Sequence, residues 1–272
     1  MSFTEGHHFT LAGEATVEQL AEAATVPLLV ILQVTKRCNF DCSFCSETLQ
    51  LPDPTLDALD RIRANLSGVQ RVFLSGGEPL LRRDFGDVAD LYSEFILGVP
   101  TNATRGLQHA RRLVGKVAFV NVGLEGPRST TNRVRGDYDQ VMRGVRAFLD
   151  HGLPISLSAV VYRSTLHALP YTYQIADVVG AGKLKLILPL RKGNALDLEE
   201  HEFTSGHLAS QRGSWPQPPS NGHTTTAARA CRYALLRSIY GPGALEHCGS
   251  IPTPSMWASA SSCSMKLTRR MR

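Results

Sequence analysis

The chain has 272 residues, 43% of them hydrophobic and 19% charged, with a formal net charge of +5. These values fit a soluble globular protein of one large α/β domain, or one domain plus an appendage. The basic residues are dispersed except at the extreme C-terminus, which argues against a nucleic-acid-binding arm. Glu5, Glu14, Glu18 and Glu22 argue against a signal peptide, and the longest apolar run is far short of the ~20 residues of a membrane span.

Residues 28–34 (Leu-Leu-Val-Ile-Leu-Gln-Val) form an apolar run with almost no polar alternation, the pattern of a strand buried on both faces of a parallel sheet. Leu56, Leu59, Ile62 and Leu66 then make a helical stripe. Strand-like runs follow at 71–74, 95–99 and 117–124. A second, better stripe is formed by Tyr138, Val141, Met142, Val145, Phe148 and Leu149. A run at 155–162 precedes a helix that Ser164 and Thr165 are expected to cap and Gly180 or Gly182 to end. The last run covers 184–190. Strands alternating with helices imply βαβ units and a parallel sheet. Periodicity alone leaves a partial six-strand barrel, a closed eight-strand barrel and a doubly wound sheet all open.

Cys38-Asn-Phe-Asp-Cys42-Ser-Phe-Cys45 places three thiols in eight positions just after the first run. Three such cysteines suit three irons of a cubane [4Fe–4S] cluster and leave the fourth iron without a protein ligand. A structural zinc site would be closed by four ligands, commonly in C-x2-C pairs, and no second pair exists. Ser75-Gly-Gly-Glu-Pro-Leu-Leu-Arg-Arg-Asp84 follows the second run. Gly76 and Gly77 allow close backbone approach to a ligand, Pro79 stiffens the exit, and Glu78 offers an acceptor for an ammonium group.

Together the two motifs resemble the signatures of the radical S-adenosylmethionine (radical SAM) superfamily. The resemblance implies a partial (β/α)6 barrel, α/β in class, with a [4Fe–4S] cluster on Cys38, Cys42 and Cys45 whose open iron chelates SAM. One electron then cleaves SAM to a 5′-deoxyadenosyl radical. It further implies that the segment from Gly76 to Pro79 binds SAM's amino group. Thr101-Asn102, ahead of Ala103, resembles the Thr-Asn-Gly of the third strand in this superfamily, so Asn102 joins the expected cofactor site. Gly123-Leu-Glu-Gly126 resembles the Ser-Leu-Asp-Gly of peptide- and sulfatase-modifying members, with a serine lost and Glu125 replacing Asp. Ser156 and Ser158 share one face of the fifth strand. They either line the lumen and reach SAM or are internally bonded core serines. Thiolates that bind iron need a reducing compartment, so a cytoplasmic location is expected, with a reductant protein such as flavodoxin or ferredoxin as partner.

Over about residues 15–205 four segments look like the cytosylglucuronate decarboxylases of blasticidin-type nucleoside antibiotic biosynthesis. They are Leu32-Gln-Val-Thr-Lys-Arg-Cys-Asn-Phe-Asp-Cys42, Glu125-Gly-Pro-Arg128, Arg133-Val-Arg-Gly-Asp-Tyr-Asp139 and Lys185-Leu-Ile-Leu-Pro-Leu-Arg-Lys-Gly-Asn194. The likeness implies hydrogen abstraction from a glucuronyl ring and loss of carbon dioxide. Arg191 is then expected to bind the acidic sugar, with Glu125 and Lys192 as catalytic groups; a solvent-facing basic turn at 191–192 is the alternative. A peptide maturase is the second enzyme reading. A protein that binds cluster and SAM but is inactive because of its tail is the third. The expected organisation is an extension over 1–26, a core over 27–206 and an aperiodic tail over 207–272, translated out of frame or otherwise unevolved. Cys231, Cys248 and Cys263 in that tail lack the C-x2-C pairs of auxiliary-cluster extensions.

Overall fold

The computed structural model describes residues 2–4, 8–10, 26–49 and 51–197. Two three-residue strands, β1 (Ser2–Thr4) and β2 (His8–Thr10), pair antiparallel. All other strands belong to one parallel sheet: β3 (Leu29–Thr35), β4 (Arg71–Gly76), β5 (Ile96–Thr101), β6 (Phe119–Gly123), β7 (Ile155–Val160) and β8 (Leu184–Ile187). Their order in space is their order in the chain. A doubly wound sheet reverses its strand order at a switch point, and a closed barrel joins its end strands. Here nothing reverses, and β3 and β8 are not paired with each other. The architecture is the partial (β/α)6 barrel, with β3 and β8 as its two end strands among the described residues.

Between the strands run α1 (Leu56–Arg63), α2 (Phe85–Leu91), α3 (Gly106–Leu113), the consecutive α4 (Arg128–Val134) and α5 (Tyr138–Asp150), and α6 (Leu169–Val178). The α1 start is capped by the Thr55 hydroxyl, which accepts from the Ala58 amide at 3.1 Å; Asp137 caps α5 through the Gln140 amide at 3.0 Å. Alternate strand residues, Val72 and Leu74, Leu97 and Val99, Val120 and Val122, point outward and are buried beneath Leu59, Val88, Leu113, Val145 and Phe148 of the helices. Each such large side chain contributes about 1.5–3 kcal/mol by leaving water. The intervening residues face the lumen.

Three expectations change. β3 is not buried on both faces: Leu29 and Ile31 are exposed, because the strand is an end of the sheet and its lumen side lies at the opening. Ser164 and Thr165 do not begin a long helix. They sit in a 3-10 segment, Arg163–Ala168, and α6 starts only at Leu169, where Pro170 occupies the first turn that tolerates its missing N–H. β8 ends at Ile187 rather than running to 190. No helix among the described residues is long and apolar enough to cross a membrane. The expected tail over 207–272, with its three cysteines, lies outside the described residues.

Candidate active site

The loop that leaves β3 carries Cys38, Cys42 and Cys45, and its course is set by the next strand's exit. The Gly77 amide donates to the Thr35 carbonyl at 3.0 Å, and the Glu78 amide to the Arg37 carbonyl at 2.8 Å. A Cβ at Gly76 would collide with the Thr35 carbonyl, and one at Gly77 with the Arg37 carbonyl. The two sequence motifs are therefore laced together by backbone, and glycine is what lets them touch. Arg82, almost fully buried, fixes the loop's two ends from beneath. It donates to the carbonyls of Val34 and Pro54, both at 2.8 Å, and is paired with Asp84 at 2.6 Å. Arg37 and Asp53 pair above it.

The far side of the loop is held by distant segments. The Ser43 amide donates to the Val134 carbonyl at 3.1 Å. The Asn194 side chain donates to Asp41 Oδ1 at 2.8 Å and to the Cys42 carbonyl at 3.1 Å, while its amide reaches the Cys45 carbonyl at 2.9 Å. Inside this frame lies a cavity of about 440 Å³, within the range of small-molecule sites. All three cysteines line it, with Gly76, Gly77 and Asn102.

Asn121 on β6 binds both serines of β7: its Nδ2 donates to Ser158 Oγ at 3.0 Å, and its Oδ1 accepts from Ser156 Oγ at 2.9 Å. Ser158 and Asn121 line the cavity; Ser156 lies one step below. The serines are thus both lumen-facing and internally bonded. Asn102 Nδ2 donates to Asn39 Oδ1 at 2.9 Å, tying β5 to the cysteine loop. Ala103, which stands where glycine was expected, has φ +63°, the left-handed region that favours glycine.

Glu78 faces inward, away from the cavity. Its carboxylate is fully buried and accepts from the Leu80 amide at 2.9 Å, Thr101 Oγ1 at 2.7 Å and the Asn102 amide at 2.5 Å. Burial pushes its pKa up to about 7, against the opposing pull of those donors. Pro79, also buried, opens the 3-10 turn Pro79–Leu81. Glu125 is fully buried as well and grips Arg135 with both oxygens, at 2.5 and 2.6 Å from Nε and an Nη. The Val160 amide adds a third bond at 3.2 Å. It is Arg135 that reaches the cavity wall, with its guanidinium 4.9 Å from the Phe44 ring centre. Burial disfavours the Arg135 charge, but the Glu125 carboxylate more than offsets this and holds its pKa above the usual value. Arg191 and Lys192 are exposed and do not line the cavity; Lys192 lies 3.5 Å from Glu47, which also pairs with Lys36.

The cysteines are free thiols. Burial raises the pKa of Cys38 and pushes that of Cys42 up to about 12, opposed by Arg135. A strongly cationic guest is what such thiols need to ionise. Among the described residues no three His, Cys, Asp or Glu side chains converge on one ion. A cubane cluster does not require convergence, since each thiolate binds a different iron, and the three cysteines around one cavity fit it.

The Radical SAM superfamily model matches residues 32–174. The chain belongs to the radical SAM superfamily. Members use a [4Fe–4S] cluster and SAM. The chain is 30% identical over 183 residues to a PqqA peptide cyclase from Rhodopseudomonas palustris, covering 61% of this chain and 48% of that protein. It is 24% identical to an AdoMet-dependent heme synthase of Nitratidesulfovibrio vulgaris, covering 74% and 58%. It is 33% identical to a probable GTP 3′,8-cyclase of Methanopyrus kandleri, covering 59% and 56%. The chain thus spans about half the length of the curated relatives it matches. Among solved structures, Streptococcus suis SuiB bound to precursor peptide SuiA aligns with a TM-score of 0.62 at 14% identity, over 76% of this chain and 53% of that one. Native anSMEcpe with bound AdoMet gives 0.52 at 19%, over 60% and 52%. Both share the fold.

Radical SAM membership was legible from the cysteine and glycine motifs. Arg135, Asn121 and Asn194 were not singled out, because each acts through partners on other segments of the fold. Arg135 and Asn194 do stand within the quoted segments Arg133–Asp139 and Lys185–Asn194.

Proposed function

We propose that this protein is a radical SAM enzyme that decarboxylates a nucleoside glucuronic acid such as cytosylglucuronate, in the biosynthesis of peptidyl nucleoside antibiotics. Radical chemistry is supported by one observation above all: the cysteine loop and the Gly76–Gly77 turn are bonded to each other around a single cavity. The substrate is supported by the four segments that resemble cytosylglucuronate decarboxylases, and by Arg135, a fixed cation on the cavity wall suited to an anionic group of cofactor or substrate.

When bound, the cluster and SAM supply a carbon radical able to abstract a hydrogen atom from an unactivated C–H bond. The chain's own residues do the rest. Cys38, Cys42 and Cys45 would hold three irons of the cluster, and Asn194 keeps their loop closed. The Gly76–Gly77 backbone lets a ligand approach the strand end, with Asn102 and Ser158 beside it; Glu78 and Pro79 fix the turn from inside. Glu125 aims Arg135. The expected roles of Arg191 and Lys192 move in this reading to cations inside the lumen. The electron comes from a reductant protein such as flavodoxin or ferredoxin, in the cytoplasm. If residues 207–272 are out of frame, re-reading the encoding DNA will reveal strand-like periodicity in another frame.

The test is anaerobic reconstitution with iron and sulfide, then SAM, reductant and cytosylglucuronate. The expected products are 5′-deoxyadenosine and the decarboxylated nucleoside, neither of them formed by the Cys38→Ala variant. 5′-Deoxyadenosine without decarboxylation would refute the substrate. Peptide modification is the second reading, favoured by the likeness to a PqqA peptide cyclase; a ribosomally made peptide shifted in mass after incubation would establish it.

A further inference from the structure

Beneath the cavity lies a second layer of the lumen that none of the roles above uses. Ile31, Phe73, Gly98 and Phe119 stand side by side in register across β3 to β6. Two residues further along the same face come Ser75, Pro100 and Asn121, which line the cavity. The layer is therefore one strand repeat, about 6.6 Å, below the cavity floor. Gly98 makes room for the two rings, since a Cβ there would lie 2.7 Å from Phe119 and 2.8 Å from Phe73. The rings meet edge to face with centres 5.4 Å apart.

Lys185 comes to this place from the opposite end of the sheet. On β8 it is in register with Ser158 of β7, so it shares the lumen face. Its ammonium lies 5.3 Å from the Phe73 ring centre and 5.7 Å from that of Phe119. No described carboxylate forms an ion pair with it. Its charged neighbour is Lys183, of like sign, and burial followed by that repulsion lowers its pKa. In the same layer Ile31, on the end strand β3, is 63% exposed. A half-buried cation that pairs with no described carboxylate and lies against two aromatic rings complements a ring compound carrying a carboxylate.

We propose that Lys185 binds the carboxylate of the substrate beside this aromatic pair, below the cofactor cavity. The identity of the substrate as a sugar acid rests on the function proposed above; the carboxylate-binding role of Lys185 does not. The bland alternative is that the lysine stem merely covers the two rings.

The test is equilibrium dialysis with the full chain, reconstituted anaerobically and loaded with SAM but no reductant. The ligands are cytosylglucuronate and cytosylglucose, which has a neutral CH2OH in place of the carboxylate. Lys185→Met is expected to weaken the acid about tenfold or more and to leave the neutral ligand within about twofold, while Lys185→Arg keeps most of the acid affinity. Unchanged cluster absorbance and urea midpoint show that the variant folds. Equal losses for both ligands, or no loss for the acid, would overturn the proposal. If the unmodified protein binds cytosylglucuronate no better than glucuronate, the proposed function fails instead. The role of Lys185 is then decided with glucuronate, benzoate and a short acidic peptide: Lys185-dependent binding of any one upholds it, and none overturns it.

Discussion

Replacing Glu125 by Gln keeps the side chain's size but removes its charge and turns an acceptor into a donor aimed at the Arg135 guanidinium. Glu125 is fully buried and accepts three bonds; the Arg135 side chain is 13% exposed, on the cavity side only. Breaking a buried pair from one side costs about 3–5 kcal/mol, because the remaining charge is left uncompensated. The cavity admits some water to Arg135, so the lower end, about 3 kcal/mol, is expected. Urea unfolding of the apo-protein, followed by circular dichroism, would then show a midpoint lower by about 1 M or more. Arg135→Met should cost a similar amount. The double variant Glu125→Leu/Arg135→Met is expected to lose less than either single one, since no buried charge remains. A single cost below about 1 kcal/mol, or a double cost equal to the sum, would refute the view that Glu125 and Arg135 act as one buried unit.

Gly77→Ala drives a Cβ into the Arg37 carbonyl, so iron and sulfide content after reconstitution should fall sharply while circular dichroism stays near native; normal loading would mean the two motifs are not in contact. Glu78 has a folded pKa raised from 4.5 to about 7, so its contribution to stability is complete below about pH 4.5 and is lost as pH rises to about 7. That loss is on the order of 3 kcal/mol, and Glu78→Gln should flatten the stability profile across this window in urea titrations at stepped pH. Ala103→Gly relieves a left-handed alanine and should leave stability unchanged or raise it by up to about 1 kcal/mol; a loss above about 1 kcal/mol would show that the buried methyl matters more than the backbone.

What could be read from the sequence divides along physical lines. The Tyr138–Phe148 stripe and the apolar strand runs announce themselves because burial repeats at a fixed period. α4, Arg-Ser-Thr-Thr-Asn-Arg-Val, carries no apolar stripe, and α2 and α3, of seven and eight residues, each place only a few large apolar side chains on the buried face. The run at 28–34 is apolar, but the same pattern serves a buried strand and an edge beside an opening. At the site, the cysteines and glycines were legible because their chemistry depends on local spacing. Glu125, Arg191 and Lys192 were read from a resemblance and from charge type, and neither tells whether a group faces a cavity, a partner or water. Arg135 reaches the cavity only because Glu125, ten residues earlier, orients it.

Asn194 ties the first loop of the barrel to the exit of its last strand, across 153 residues of chain to Asp41. On a ribosome adding about 5–20 residues per second, the thiols emerge roughly 8–30 s before the residue that closes over them. The cysteine loop is thus made well before the segment that encloses it. Iron delivered in that interval would meet three unshielded thiols, and oxygen would meet them too. A cell that makes this protein gains by keeping the nascent chain reduced and by supplying the cluster after Asn194 has left the exit tunnel.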